Sequence, residues 1–424
     1  MTEQDDALTA YFDSNIFLLK LSGFWIYDND NKTARKYFQH GYNAFWCFYM
    51  FVGYIPAEIL YVYYSFNDLS VFLRALRDVG NHASLVYKTF NYFIMRKDLL
   101  NLIDTLQNGD YEYEDCDDFQ PSQIIKQEKK QALKWTKYFW NFCNAICLSM
   151  FLNGVVTFFF MADKQYIVKN NETIYEQEQP VNAVLPFGSG TKKAFFISFV
   201  YTIVALTLAA WMIVALDSLF ITLMSCTSAH LKILQGAVKT LRSRCIRRTN
   251  MCALLKKNIL HDPEILQHEM HKEMIRCIKH LQTVFRVAEK MESIYSTQTF
   301  IQTFISLGEM CFSLYLLSET TDQNIGNEIT YLLATGFELL MYCWFGNSIT
   351  EASLQLSYSF YDSDWFSTSL SFRKQIIFTM SRMKRPIYIT IGKVTPLTFN
   401  TFLTMTRGAY SFFTFLKQRH GINK

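Results

Sequence analysis

From Ala194 to Met224 the chain runs for about 30 residues on side chains that are nearly all apolar. About 20 such residues cross the ~30 Å hydrocarbon core of a bilayer as a helix, which satisfies every backbone N–H and C=O within the segment. This stretch therefore spans and continues beyond the membrane as a helix. The signal recurs at Gly41 to Tyr64, Tyr138 to Met161, Thr297 to Leu317 and Ile329 to Ile349. Pro56 and Glu58 in the first of these imply a kink turned towards other protein. Leu69 to Met95 is weaker, because it carries Arg74, Arg77, Asp78, His82 and Lys88. Charged groups inside a span face the bundle interior or a wet cavity. The last candidate, Thr395 to Gln418, is long enough to cross but rich in hydroxyls.

The remaining segments are polar. Mean hydropathy of +0.05 is low for a chain that is all membrane, so substantial helical loops accompany the spans. Residues 1–40 read as surface helices, and the acidic opening MTEQDDALTA shows no signal peptide. Residues 225–296 are charged and helical in pattern. Asp262-Pro263-Glu264 reads as an N-cap with proline in the first helical position. Leu266, Met270, Met274, Ile278, Leu281, Phe285 and Met291 then follow at helical spacing into the fifth span. An amphipathic piece around Asp364 to Met383 follows the sixth span, and then the basic break Lys384-Arg385-Pro386. The predicted fold is an all-α membrane protein with seven transmembrane helices, spans one to six forming a bundle over residues 41–349.

Charge sets the orientation. With the N-terminus inside, the inner segments hold 30 Lys and Arg and the outer segments 7. The long 225–296 segment weighs less under the positive-inside rule, and without its thirteen the split is still 17 to 7. The N-terminus is thus expected to be cytoplasmic and the C-terminus extracellular. Dropping the weak second span would move the basic 92–137 segment outside, so it is kept. None of the ten cysteines then falls in an external loop, and no disulfide framework is expected. Asn171 begins a sequon in the long external loop, 163–193, where glycosylation is possible; the sequon at Asn31 falls inside. This orientation argues against a G-protein-coupled receptor, whose N-terminus is outside.

The last span offers a site. At about 100° per residue, Thr404, Gly408, Ser411, Phe415 and Gln418 lie within about 40° of one another's mean line. Thr395, Thr398, Thr401 and Thr404 add hydroxyls three residues apart. A polar lane broken by the Phe415 ring suits a pore wall with a hydrophobic gate. It equally suits a helix–helix seam of small residues. Arg407 either pairs with an acid such as Glu309 or Glu338, or faces the conduit.

An inverted seven-span chain of this length resembles the insect odorant receptor family. The match is most specific in the C-terminal quarter: Tyr342-Cys343-Trp344-Phe345-Gly346-Asn347, Tyr358, Trp365, Phe372-Arg373-Lys374, Arg385-Pro386, Phe402 and Ala409-Tyr410-Ser411-Phe412-Phe413. A second echo runs from His280-Leu281 through Glu289 to Phe304. The resemblance implies a tetrameric ligand-gated, non-selective cation channel in the plasma membrane of a sensory neuron dendrite. Odorant-tuning subunits there assemble with co-receptor subunits around a central pore. By that likeness residues 350–394 form a cytoplasmic anchor and residues 395–418 line the pore. Phe415 takes the gate position, with Gln418 just outside it, and Ser411, Gly408 and Thr404 line the same face. The co-receptor pattern has an aliphatic gate residue and a longer segment between spans four and five, so the chain resembles a tuning subunit. A small volatile organic ligand is expected in the outer half of the bundle. Candidate ligand residues are Val79, His82, Ala83, Met150, Phe151, Gly154, Phe158, Tyr201, Ala205, Phe304, Tyr331 and Thr335. Apolar walls with a few polar handles suit a volatile, and His82 in particular needs a partner.

The closest alternative is a gustatory-receptor-type channel, and a metabotropic seven-span receptor is the weaker one. No enzyme is expected: there is no Gly-rich phosphate loop, no CxxC pair and no defensible catalytic triad. His268-Glu269-Met270-His271 is not HExxH and lacks a third ligand, so no metal or other cofactor is expected. Arg242-Ser243-Arg244 with Arg247-Arg248 suits lipid headgroups, another subunit or a solvated face. No nucleic-acid partner is expected.

Overall fold

The computed structural model describes residues 11–24, 33–108, 111–160, 166–169, 172–175, 179, 181, 183–185, 191–251, 263–319 and 325–422. Among them, five helices are long and apolar enough to cross a membrane by length and composition. The first is a composite: α2 (Thr33–Phe48), a π-helical turn (Tyr49–Tyr54) and α3 (Ile55–Tyr64), with Pro56 in the first turn of α3. Proline brings no N–H and crowds the carbonyl four residues back, and the wider π turn absorbs that misfit. The predicted kink is this turn. It points Glu58 inward, where it is 1% exposed.

α4 (Leu69–Gln107) starts at Asp68, whose carboxylate accepts from the backbone N–H groups of Ser70 and Val71. Its charges make it less apolar than those five helices, yet Arg77, Asp78, His82 and Lys88 are all buried. α5 (Pro121–Phe160) leads to a short hairpin, β1 (Tyr166–Lys169) and β2 (Glu172–Tyr175). The sequence reading makes this region a loop; the β-branched and tyrosine residues of Tyr166–Lys169 and Glu172–Tyr175 favour extended backbone and pair it instead. Asn171 lies outside the described residues.

α6 (Lys192–Lys239) is 48 residues long, or about 72 Å at 1.5 Å per residue, more than twice a bilayer core. Nearly every side chain from Met212 to Leu234 is buried, so α6 is the axis of the bundle. α5, α9 (Ile325–Tyr361) and α8 (Glu264–Glu319) pack around it. α1 (Asp13–Leu21) lies along it, with Asn15 donating to Ser218 Oγ at 3.1 Å. α7 (Leu241–Arg248) follows α6.

α8 is one unbroken helix of 56 residues, as the apolar spacing predicts. Leu266, Met270, Met274, Leu281 and Met291 are buried along it. Its start differs by one position: Pro263 precedes the helix and its carbonyl accepts from Gln267, while Asp262 lies outside the described residues. α4 and α9 also outrun their spans, because apolar stripes such as Leu99, Leu102 and Leu106 continue to find partners beyond the membrane length.

The chain then turns through α10 (Leu370–Met383) to a small antiparallel pair, β3 (Thr390–Ile391) and β4 (Thr395–Pro396). Gly392 and Lys393 at its tip both have positive φ, which glycine adopts without strain. The hairpin is fastened to α8: Gly392 N–H donates to Ser296 O at 2.9 Å, and Thr390 N–H to Glu292 Oε2 at 2.8 Å. α11 (Phe399–Ile422) follows. It begins later than Thr395, because Thr395 and Pro396 stay in the strand and Thr398 Oγ1 accepts from Thr401 N–H ahead of the first turn.

Candidate ligand site and the outer face of the last helix

Polar contacts fasten α4 to its neighbours along its length. Arg77 pairs with Glu328 of α9 and with Asp78, and its guanidinium lies 3.8 Å from the centre of the Tyr331 ring. His82 Nδ1 is 2.7 Å from Glu58 Oε2 on α3, so the titratable ring in this span has its partner. Ser84 donates to Gln302 of α8. Lys88 reaches Asp217 of α6 and Glu338 of α9, at 2.8 Å each. Tyr342 also donates to Asp217, at 2.8 Å. Asn91 donates to Ile294 O and Gln298 Oε1 of α8. Charges so deep in a bundle are tolerated only when paired and hydrogen-bonded.

This polar seam forms one wall of an internal cavity of about 100 Å³ between α4, α5, α6, α8 and α9. Asn81, His82, Glu309, Thr330, Tyr331, Thr335 and Glu338 supply the polar side. Phe139, Cys143, Ile146, Cys147, Met150, Leu206, Ala209, Ala210 and Ile213 supply the apolar side. Thr335 Oγ1 donates to Glu309 Oε2 at 3.0 Å. The arrangement offers a hydrocarbon slot with hydrogen-bonding groups on one side, as small-molecule sites do.

Of the twelve candidate ligand residues, His82, Met150, Tyr331 and Thr335 meet at this cavity. The others lie elsewhere. Phe151, Gly154 and Phe158 pack with Phe195 and Phe199 in a separate aromatic cluster between α5 and α6. A Cβ on Gly154 would come within 2.2 Å of the Phe199 ring. Tyr201 packs its ring, tilted, against those of Tyr49 and Tyr54 in the π turn. Ala205 is buried in the main core and Val79 is half-buried. Ala83 and Phe304 are exposed on the outside of the bundle. The sequence reading missed Glu309 and Glu338 as cavity residues, though both are carboxylates inside predicted spans and carry the signal that singled out His82.

On α11, Phe402, Met405 and Ala409 pack inward against the core. Thr404, Gly408, Ser411, Phe415 and Gln418 are all exposed, and nothing lies within 4 Å of a Cβ built on Gly408. The lane is therefore not a seam with another helix of the same chain. Arg407 is exposed too, whereas Glu309 and Glu338 are buried with Thr335 and Lys88 as partners. The pairing considered for Arg407 does not form.

A family model described as 7tm Odorant receptor matches residues 68–410, which is most of the chain. The chain belongs to the odorant receptor family. Among curated relatives, odorant receptor 2a of Drosophila melanogaster is 29% identical over 192 residues, 44% of this receptor and 48% of that one. Odorant receptor Or2 of Anopheles gambiae is 27% identical over 154 residues, 34% of this receptor and 39% of that one. The matched stretches thus span about half the length of these relatives or less. The solved insect olfactory receptor OR5 of Machilis hrabei in complex with eugenol superposes with a TM-score of 0.73 at 16% identity, covering 98% of the receptor and 99% of that chain. The receptor shares that fold, an all-α membrane architecture of seven spans, and is a multi-pass membrane protein and not an enzyme.

Proposed function

We propose that the receptor is an odorant-tuning subunit of a ligand-gated, non-selective cation channel, in which a small volatile binds the α4–α9 cavity and opens a pore lined by α11. The exposed lane on α11 carries this reading: a helix that turns its inner face to its own bundle and leaves Thr404, Gly408, Ser411, Phe415 and Gln418 outward suits a wall shared between subunits. Phe415 would stand as the apolar constriction near the outer mouth, with Gln418 beyond it. That OR5 was solved with eugenol supports a volatile ligand. Assembly is supported by the exposed apolar side chains Tyr358, Tyr361, Phe366, Leu370, Ile377 and Phe378, on the end of α9, on α10 and on the connection between them. Exposed apolar side chains in that number suit contacts between subunits. We assign it to a cytoplasmic anchor, residues 350–394, in a heterotetramer with co-receptor subunits. Phe415 in place of an aliphatic gate residue, and the short connection from α6 to α8, favour the tuning role.

The route from site to pore is short. α8 and α9 form part of the cavity wall, and Gly346 of α9 lies against Leu397, just ahead of α11. A ligand that binds one arrangement of these helices better than the other shifts the gate, since only differential affinity moves the equilibrium. The test is co-expression with and without an odorant co-receptor, a panel of volatiles, and recording from excised patches without G proteins. A ligand-evoked current in such patches is expected. A current that needs G proteins would refute the channel. In the same assay Phe415→Ala is expected to raise basal current or alter ion selectivity, and unchanged currents would remove Phe415 from the gate.

A further inference from the structure

We propose that the cavity selects a ligand bearing a protonated amine, with Glu309 as its counter-ion; this rests on the reading of the cavity as the ligand site. Glu309 is 6% exposed, and its Oε2 is satisfied by Thr335. Its Oε1 is buried and has no hydrogen-bond partner among the described residues, and Glu309 is one of the residues that line the cavity. A buried acceptor left without a donor is expensive, and more so when it is charged.

The surroundings hold no spare cation to supply that donor. The carboxylates buried at or beside the cavity are Glu58, Asp78, Asp217, Glu309, Glu328 and Glu338. Against these six stand the buried Arg77 and Lys88, the half-buried Arg74, and His82. Arg77 is committed to Asp78 and Glu328, and Arg74 also reaches Glu328; Lys88 is committed to Asp217 and Glu338, and His82 to Glu58. Glu309 is the carboxylate that this pairing omits. An ammonium group donates to Oε1 and neutralises the charge together, which an alcohol does only in part. A carboxylic acid or ester brings further acceptors to an acidic wall and is disfavoured. Opposite, Phe139, Ile146, Met150 and Ile213 give the amine a hydrocarbon slot. The volume of about 100 Å³ is several times what one water needs, so a compact aliphatic amine fits better than a bulky one.

The experiment uses the purified full-length receptor and reads the concentration of hexylamine, 1-hexanol or hexanoic acid that raises its thermal midpoint. Hexylamine is expected to act at concentrations at least about tenfold below 1-hexanol, as a charge-assisted bond predicts, with hexanoic acid inert. Glu309→Gln keeps the shape and an acceptor for Thr335, and is expected to erase the advantage of the amine without lowering the ligand-free midpoint. Equal or better binding of 1-hexanol, an amine preference that survives Glu309→Gln, or no binding of hexylamine would overturn the proposal. Met150→Trp fills the slot from α5 and is expected to abolish binding of every probe. Undiminished binding to that variant would instead refute the cavity as the ligand site.

Discussion

Lys88 shows how a span can carry charge. Its ammonium lies between Asp217 and Glu338 with Tyr342 sharing Asp217, four groups from three different helices. Lys88→Met leaves two buried carboxylates without a cation, and breaking such a pair typically costs about 3–5 kcal/mol. The expected result is a large loss of folded receptor by size-exclusion chromatography, recovered in part by adding Asp217→Asn and Glu338→Gln. A wild-type profile for the single variant would mean that the triad contributes little. Gly346 makes a second prediction at this scale. A Cβ there would lie 2.5 Å from Leu397 Cβ and 2.6 Å from Leu397 O, against backbone that cannot rotate away. Gly346→Ala should displace the entry to α11 at a cost of about 1–3 kcal/mol. We expect altered basal current with surface expression retained, and ordinary gating would show that this contact does not constrain α11.

At the scale of elements, a proton-sensitive junction ties the far ends of α4, α6 and α8 together. His230 Nε2 lies 3.0 Å from Leu106 O, a partner that can only accept, so the proton sits on Nε2 and Nδ1 is free to accept. His280 Nε2 donates to that Nδ1 at 3.0 Å, and Tyr113 OH lies 3.1 Å from His280 Nδ1. The Tyr111 ring stacks on His280 at 4.2 Å. Burial lowers the pKa of both histidines, and for His280 the neighbouring His230 and Arg276 lower it further. The fold therefore holds both rings neutral. An unfolded histidine, with a pKa of about 6.5, takes up its proton first as pH falls. The stabilisation is complete above about pH 6.5 and is lost as pH drops below it. Hydrogen exchange at the ends of α4, α6 and α8 should accelerate from pH 7.5 to 5.5 beyond the intrinsic pH effect on exchange. His280→Gln should flatten that dependence, and equal protection at both pH values would contradict it.

For the whole molecule, the excess of 30 basic residues over 7 predicts which way the bundle sits in the membrane. An epitope added before Met1 should be stained only in permeabilised cells, and one added after Lys424 on intact cells. The reverse pattern would invert the proposed pore, placing Phe415 at its inner mouth. The same inventory of charge explains which features were legible beforehand. Long apolar runs locate spans by length alone, and α8 could be read from Leu266 to Leu317 because its stripe keeps one period. Arg77, Asp78, His82 and Lys88 were readable as inward-facing, since lipid would not tolerate them.

The partners of those charges were not readable. Arg77 meets Glu328, Lys88 meets Glu338 and His82 meets Glu58 across separations in sequence that no local pattern encodes. Phe304 and Glu309 lie on the same helix within the same span, yet one is exposed and the other points into the bundle. The rotation of α8 against α4 and α9 separates them, and that rotation minimises the energy of many contacts together. On α11 the sequence alone determined that Thr404, Gly408, Ser411, Phe415 and Gln418 share a line, because helical period is a local property of the backbone. Whether that line met another helix of the same chain was decided only by the tertiary structure. Packing of Phe402, Met405 and Ala409 onto the core uses up the other face and leaves this one bare.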